Sequence, residues 1–217
     1  MISVDEYHYS KRKTLAVCID RQGRVIVRAP KGYPQRKIEA FLSQKEDWIT
    51  RHQQAKKDNA IPLPTQVDGY VLPYLGGELR LVVEDVKRVK EKDGVLYLPK
   101  ANPESSLVRW LKRQALSLLT QRTMYWQEKM GVACKGIKIS SARRKWGSCS
   151  SKDEIRYVYR LLYAPIEIID YVVVHELAHI RYKNHSAAFW QEVSAYLPDC
   201  RQRRAWLQQR AVLLEIF

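Results

Sequence analysis

The hydrophobic positions of the first hundred residues fall in short runs that predict β-strands. Leu15–Ile19 and Arg24–Ala29 flank a turn at Arg21-Gln22-Gly23, an arrangement typical of a β-hairpin. Helical spacing of apolar residues begins at Pro34 and continues to about His52. After a loop over Lys56–Gln66, the pattern predicts three more strands, at Tyr70–Leu72, Glu78–Val83 and Val95–Leu98.

Longer helical patterns occupy the second half of the chain. An apolar stripe predicts a helix from Pro103 to about Met130, and Gly131 is suited to end it. Two strands are predicted next, at Ile137–Ser140 and Ile155–Leu162, joined by a polar loop. Three helices follow, from Pro165 to about Tyr182, from Ser186 to Tyr196, and from Pro198 to about Leu214.

This element order favours an α+β protein with an antiparallel sheet, because strands and helices do not alternate regularly. We expect a small, mainly β N-terminal part with one helix over residues 1–100. An α+β part over residues 101–217 follows, with one continuous unit of both parts as the alternative.

The net charge of +15 suggests anionic partners, and its distribution is uneven. Residues 101–164 carry 13 basic and 4 acidic side chains, whereas residues 165–217 carry 6 of each. Nucleic acid is one partner that such a charge attracts, but no nucleic-acid-binding motif accompanies it. The alternative is a lysine- and arginine-rich solvated surface.

The apolar segments and the cysteines indicate the cellular compartment of the protein. The longest apolar run, Ile166–Val174, is too short to span a bilayer, and the polar stretch Met1–Lys13 has no signal-peptide pattern. None of the four cysteines forms a CxxC pair, which argues against a structural zinc cluster. We therefore expect a cytoplasmic protein without a membrane partner. The sequence does not predict its oligomeric state.

The segment His175-Glu176-Leu177-Ala178-His179 carries the clearest chemistry in the chain. Positions four residues apart share one face of a helix, so His175 and His179 can bind the same metal ion. Glu176 lies about a hundred degrees round the helix, where it can act on a water molecule without binding the metal. This H-E-x-x-H spacing is typical of zinc hydrolases in which the glutamate is the general base.

A catalytic zinc ion requires a third protein ligand. His185 is the favoured candidate, because it falls in a turn between Asn184, which can end one helix in a left-handed conformation, and Ser186, which can cap the next. Glu192 and Asp199 remain alternatives, as in sites with two histidines and a carboxylate.

Several motifs together resemble the YgjP-like predicted metal-dependent hydrolases, a family similar to the SprT-like zinc peptidases. They are Arg144-Lys145-Trp146-Gly147-Ser148-Cys149-Ser150-Ser151, Ala164-Pro165, Val173–His179, Asn184-His185-Ser186 and Phe189-Trp190. The resemblance implies a zincin-like core, one Zn²⁺ per chain held by His175, His179 and His185, and a catalytic Glu176. One departure is Asp153-Glu154, which stands near a position where the family usually has a glycine.

For a peptide substrate, the expected chemistry is hydrolysis in which zinc activates water and Glu176 transfers the proton. Gly147 would let a substrate backbone approach closely, Trp146 would form a wall of the cleft, and the strand Ile155–Leu162 would pair with extended substrate. We expect Phe189 and Trp190 to pack beneath the metal site. The candidates for stabilising an oxyanion are Tyr163, Arg143, Arg144 and Tyr182.

Two other functions remain open from the sequence alone. Arg143, Arg144 and Lys145 are suited to hold a phosphate, which would make the substrate a nucleotide or another phosphorylated small molecule. The third hypothesis is a nucleic-acid-associated protein, which rests on the net charge.

Overall fold

The computed structural model describes residues 2–20, 23–58 and 66–217. By its internal contacts the chain divides into two compact units. The first comprises Met1–Pro62 with Gln209–Val212, and the second comprises Leu63–Gln208 with Leu213–Phe217. The boundary expected at residue 100 therefore lies inside the second unit.

The first unit contains a three-stranded sheet and two helices. Strand β3 (Val25–Pro30) lies between β1 (Glu6–Ser10), to which it is parallel, and β2 (Ala16–Ile19), to which it is antiparallel. The helices are α1 (Gln35–Gln44) and α2 (Glu46–Asp58). The core of this unit is built from apolar side chains of β3, α1 and α2, namely Val25, Val27, Ala29, Ile38, Leu42 and Ile49.

The predicted hairpin is confirmed as β2 and β3, although Arg21 and Gln22 of its turn lie outside the described residues. The single helix predicted from Pro34 is wrong, since Lys45 leaves the helical conformation and separates α1 from α2. Helix α2 also extends into the predicted loop, of which residues 59–65 are not described. The sequence does not predict strand β1, whose five side chains are all exposed.

The second unit begins with a four-stranded sheet in the order β4-β5-β7-β6. Its strands are β4 (Val71–Tyr74), β5 (Gly77–Glu84), β6 (Lys90–Lys92) and β7 (Val95–Pro99), and β5 and β7 are parallel. Strand β6 was not predicted, because Lys-Glu-Lys is fully exposed. The long helix α3 (Pro103–Met130) packs against β7, and Gly131 ends it in the left-handed conformation, as predicted.

The second unit also contains a three-stranded sheet, called the second sheet below. Part of the predicted polar loop forms one of its strands. Strand β10 (Glu154–Val158) is central, parallel to β8 (Gly136–Ser140) and antiparallel to β9 (Gly147–Cys149). The predicted strand Ile155–Leu162 is too long, because Tyr159–Tyr163 forms a 3-10 helix. All five of those residues are buried, and a continuous apolar run does not distinguish a strand from a buried helical turn.

The turn between β9 and β10 contains Asp153, near the position where the family that the sequence resembles usually has a glycine. Asp153 adopts a left-handed conformation with φ of 59°, which a glycine would adopt at lower cost. Aspartate is among the few other residues that tolerate this conformation. Its carboxylate accepts a hydrogen bond from Lys183 Nζ at 2.5 Å.

Three helices complete the chain: α4 (Ile166–Arg181), α5 (Ala187–Tyr196) and α6 (Cys200–Gln209). Ser186 caps α5 as predicted, because its hydroxyl accepts a hydrogen bond from the Phe189 amide. The left-handed ending proposed at Asn184 is wrong, since α4 ends at Tyr182 in extended conformation. The last helix is shorter than predicted and is followed by a 3-10 helix at Ala211–Glu215.

The α+β class is confirmed, and each of the three sheets in the described residues is mixed, with one parallel pairing beside its antiparallel ones. No helix in the described part of the chain is long and apolar enough to cross a membrane.

A bidentate ion pair joins α3 to α4, and we expect its loss to destabilise the second unit. The Arg122 guanidinium donates to both carboxylate oxygens of Asp170 at 2.7 and 2.6 Å, and the side chains are only 24% and 11% exposed. Asp170→Ala leaves a largely buried, unpaired cation, so the free energy of unfolding should fall by about 2–4 kcal/mol in denaturant titrations.

Lys138→Ala is the matched control, because the Lys138–Glu154 pair is 55% and 43% exposed. We expect this control to change the free energy of unfolding by less than about 1 kcal/mol. Equal effects of the two substitutions would contradict a structural role for the α3–α4 pair.

Candidate metal centre

Three imidazoles meet at the end of α4. His175 and His179 lie one turn apart on that helix, and the turn before α5 brings His185 to them. One ligand nitrogen of each ring lies within 4.8 Å of the other two, and the Nε2 atoms of His175 and His185 are 3.1 Å apart. Glu192 and Asp199, the alternative third ligands, instead pair with Arg181 and Arg203.

The three nitrogens fit a zinc ion. Zinc binds imidazole nitrogen at about 2.0–2.1 Å in tetrahedral geometry, which separates neighbouring ligand atoms by roughly 3.3 Å. An all-nitrogen donor set suits zinc better than calcium or magnesium, which prefer oxygen. Burial, followed by the proximity of His179 and His185, lowers the pKa of His175 to about 3. Its imidazole is therefore neutral, as a metal ligand must be.

Neighbouring groups hold the rings in place. His179 Nδ1 is 2.9 Å from the carbonyl oxygen of Tyr182, which leaves its Nε2 free to face the cluster. Phe189 is completely buried, and its ring centre lies 4.9, 4.6 and 4.8 Å from those of His175, His179 and His185. The expectation that Phe189 packs beneath the histidines is confirmed.

The side chain of Glu176 lies against strand β9 of the second sheet. It is 5% exposed, and its Oε2 atom is buried without a hydrogen-bond partner among the described residues. Burial raises the pKa of its carboxyl to about 7, while the charge of Lys145 and a hydrogen bond from the Cys149 backbone act in the opposite direction. A buried carboxyl with a pKa near neutrality can both accept and release a proton.

Strand β9 passes so close to Glu176 that only glycine fits at position 147. A Cβ atom on Gly147 would lie 2.6 Å from Glu176 Oε1 and 2.9 Å from Glu176 Cγ. The close approach inferred from the sequence is present, but it is made by this side chain of the same protein. Sequence reasoning attached no structure to Gly147, because the strand falls within a polar loop.

Strand β9 is also the open edge of its sheet. Its backbone bonds to β10 involve Trp146 with Val158 and Ser150 with Glu154. In an antiparallel pair such bonds recur at every second residue, so Gly147 and Cys149 direct their N–H and C=O groups to the outer edge. The Cys149 backbone hydrogen-bonds Glu176, which leaves the groups of Gly147 on that edge. The strand expected to pair with substrate, β10, is flanked on both sides by β8 and β9 and has no free edge.

The structure brings two cations to the site. The charge of Lys145 acts on Glu176, and that of Arg204 on α6 acts on His175 and His185. Arg204 was not among the predicted substrate residues, because it lies about twenty residues beyond the last histidine and no local pattern marks it.

The remaining predicted residues are distributed differently. Arg144 is exposed, whereas Arg143 lies beside Tyr159 and Arg160. Tyr163 is 2% exposed. Its charged and phenolic neighbours are again Tyr159 and Arg160, so it is not available to stabilise an oxyanion at the histidines. Two aromatic residues stay near the centre: Tyr182 contacts His179 through its backbone, and the half-buried Trp146 directly precedes β9.

We expect Gly147→Ala to displace Glu176 or β9. The added methyl group has no space beside the carboxylate, and such overpacking typically lowers the free energy of unfolding by about 1–3 kcal/mol. Denaturant unfolding measures this change, and a crystal structure of the variant would show the displaced side chain. Gly136→Ala is the control, since a Cβ there meets no atom within 4 Å. Equal stability of the two variants would contradict the steric argument.

Comparison with known proteins adds three relatives. The chain is similar to UTP pyrophosphatase of Escherichia coli (strain K12), with 35% identity over 78 residues, or 34% of this chain and about half (47%) of that protein. Two solved structures are similar: the metallopeptidase zymogens of Pyrococcus abyssi abylysin (19% identity, TM-score 0.40) and Methanocaldococcus jannaschii jannalysin (21%, 0.39). Each match covers 42% of this chain, and 93% and 95% of those chains, respectively.

The family model for the YgjP-like metallopeptidase domain matches residues 13–210, which include most of both units and every residue of the histidine cluster. This family implies a metal-dependent hydrolase, in agreement with the donor set at the end of α4. The chain therefore belongs to the YgjP-like metallopeptidase-domain family.

Proposed function

We propose that this protein is a zinc-dependent hydrolase, and that its preferred substrates are peptides. His175, His179 and His185 hold one zinc ion per chain, and Glu176 is the general base. The observation that carries the proposal is the pairing of a three-imidazole cluster with a buried carboxyl whose pKa is raised to about 7. His175, His179 and Glu176 all lie on α4, so their relative placement depends on one rigid element, and His185 joins them from the turn before α5.

The roles of the side chains follow from their surroundings. When bound, zinc supplies a Lewis acid that polarises the scissile bond and makes water a better nucleophile. As a carboxylate, Glu176 would accept a proton from water and then return it to the leaving group, because a pKa of about 7 allows the group to gain and to lose a proton near neutral pH. The carbonyl of Tyr182 orients His179, and Phe189 supports all three rings from below.

The edge of β9 at Gly147 supports a peptide substrate. Gly147 directs its backbone N–H and C=O groups outward on the same edge as Cys149, whose backbone hydrogen-bonds Glu176. An extended peptide can add to such an edge through main-chain hydrogen bonds, which selects for extended rather than helical substrates. The scissile bond would then lie beside the general base.

Glu176→Gln tests the general base. The variant preserves the shape of the side chain but cannot accept the proton, so hydrolysis of an unfolded protein substrate should fall at least about a hundredfold while zinc content is unchanged. Glu192→Gln is the control, because Glu192 pairs with Arg181 and should leave the rate unaltered. Full activity of Glu176→Gln would refute the assigned role.

A second candidate reaction is hydrolysis of a phosphoanhydride bond in a nucleoside triphosphate. Two observations favour it: the similarity to an enzyme named UTP pyrophosphatase, and the positive charges of Lys145 and Arg204 beside the centre. The nearest acidic side chains on the turn after β9 are paired, since Asp153 binds Lys183 and Glu154 binds Lys138. The surroundings of Glu176 therefore favour an anionic substrate.

Parallel assays separate the two reactions. The zinc-loaded protein is offered an unfolded protein and UTP, and the Glu176→Gln variant is tested with each. Peptide cleavage without UTP turnover supports the first proposal, and release of pyrophosphate from UTP without peptide cleavage replaces it with the second. Association with nucleic acid rests on the net charge of +15 alone and stays a prediction.

A further inference from the structure

A cavity of about 480 Å³ lies between α5 and α6, close to the histidine cluster. Its walls include Trp190 and Gln191 of α5 and Arg201 and Arg204 of α6, and the buried Cys200 contributes to its lining. Among the residues that the structure describes, none that lines it carries a carboxylate. A volume of this size falls in the range of small-molecule sites.

Trp190 connects this cavity to the histidines. Its indole stacks on the His185 ring, with centres 5.7 Å apart and planes inclined by 24°, and its centre lies 5.8 Å from that of His175. The Arg204 guanidinium lies 5.0 Å from the centre of the same indole. A group bound by Arg204 would therefore be separated from the imidazoles by the indole ring of Trp190.

The arginines of α6 divide into two kinds. Arg203 is half-buried and donates to the Asp199 carboxylate and to the carbonyl of Glu167, so its role is to attach α6 to α4. Arg201 and Arg204 are exposed, and no ion pair engages either guanidinium within the described ranges. Two unneutralised guanidinium groups in one cavity form a site for an anion.

We propose that the α5–α6 cavity binds a phosphate group of a small substrate through Arg201 and Arg204, with Trp190 as the wall shared with the metal centre. A phosphate is favoured over a carboxylate because two cations face the cavity and a phosphate ester or anhydride carries more than one negative charge. The anchored group would direct a neighbouring bond of the same molecule towards the histidines. This assignment rests on the second candidate function, hydrolysis of a phosphorylated small molecule, and not on the peptide substrate proposed first.

The test measures binding of inorganic pyrophosphate by isothermal titration calorimetry in the metal-free His175→Ala protein. Removing the metal eliminates direct coordination of pyrophosphate, so the signal reports the cavity. We expect binding there, and Arg204→Gln in the same background should weaken it at least about tenfold by removing a charge-assisted contact. Arg201→Gln should also weaken it, whereas the exposed Arg113→Gln on α3, which removes the same charge elsewhere, should change it less than about twofold.

Three results would overturn the assignment. Equal binding by all variants would mean that only general surface charge attracts pyrophosphate. Binding that occurs in the zinc-loaded wild type and is absent from His175→Ala would place the anion on the metal and leave the proposed function intact. Tighter, Arg204-dependent binding of acetyl-alanyl-alanine, which offers a single carboxylate, would reject phosphate as the anion. Cavity binding in a protein that neither holds zinc nor hydrolyses UTP would preserve this inference and refute the proposed function.

Discussion

The contact between strand β9 and Glu176 is the constraint on which the arrangement of the centre depends. The carboxyl is buried, and β9 covers it so closely that position 147 has no room for a side chain. The same approach directs the Cys149 backbone to the carboxyl and leaves the outer edge of β9 beside it. Burial, a raised pKa and an edge available to substrate therefore have one structural origin.

The electrostatics of the region follow a consistent pattern. Burial keeps His175 neutral and able to bind a metal, while the acidic side chains around the second sheet are neutralised by lysines, as in the Asp153–Lys183 pair. The positive charges of Lys145 and Arg204 act on different residues of the centre, Glu176 and His175 respectively. The result is a site with a single buried carboxyl in a positively charged surrounding, which suits substrates that carry or develop negative charge.

The sequence predicted what depends on local spacing. Helix geometry can be predicted directly from two histidines four residues apart, from a glycine after α3 and from a serine before α5. The structure has these helices where the pattern indicated. It missed features that depend on tertiary pairing. Strand β9 is three residues long within a polar loop, and only its pairing with β10 makes it a strand.

The same distinction explains the substrate residues. The sequence predicts Arg143, Arg144 and Lys145 as candidates to hold a phosphate. The charge of Lys145 does reach Glu176, but the second cation whose charge reaches the site is the distant Arg204. Tyr163 follows the second sheet in sequence but is buried beside Arg160. Proximity along the chain is a poor guide here, because the centre is assembled from a helix, a turn and a strand edge.

Metal content is the most direct test of the central claim that three imidazoles hold one zinc ion. Elemental analysis of protein purified without a histidine tag should give about one zinc per chain in the wild type. His175→Ala, His179→Ala and His185→Ala should each lose it, while His8→Ala, on the exposed strand β1, should retain it. A wild-type protein that contains no zinc and takes up none when zinc is added would contradict the account.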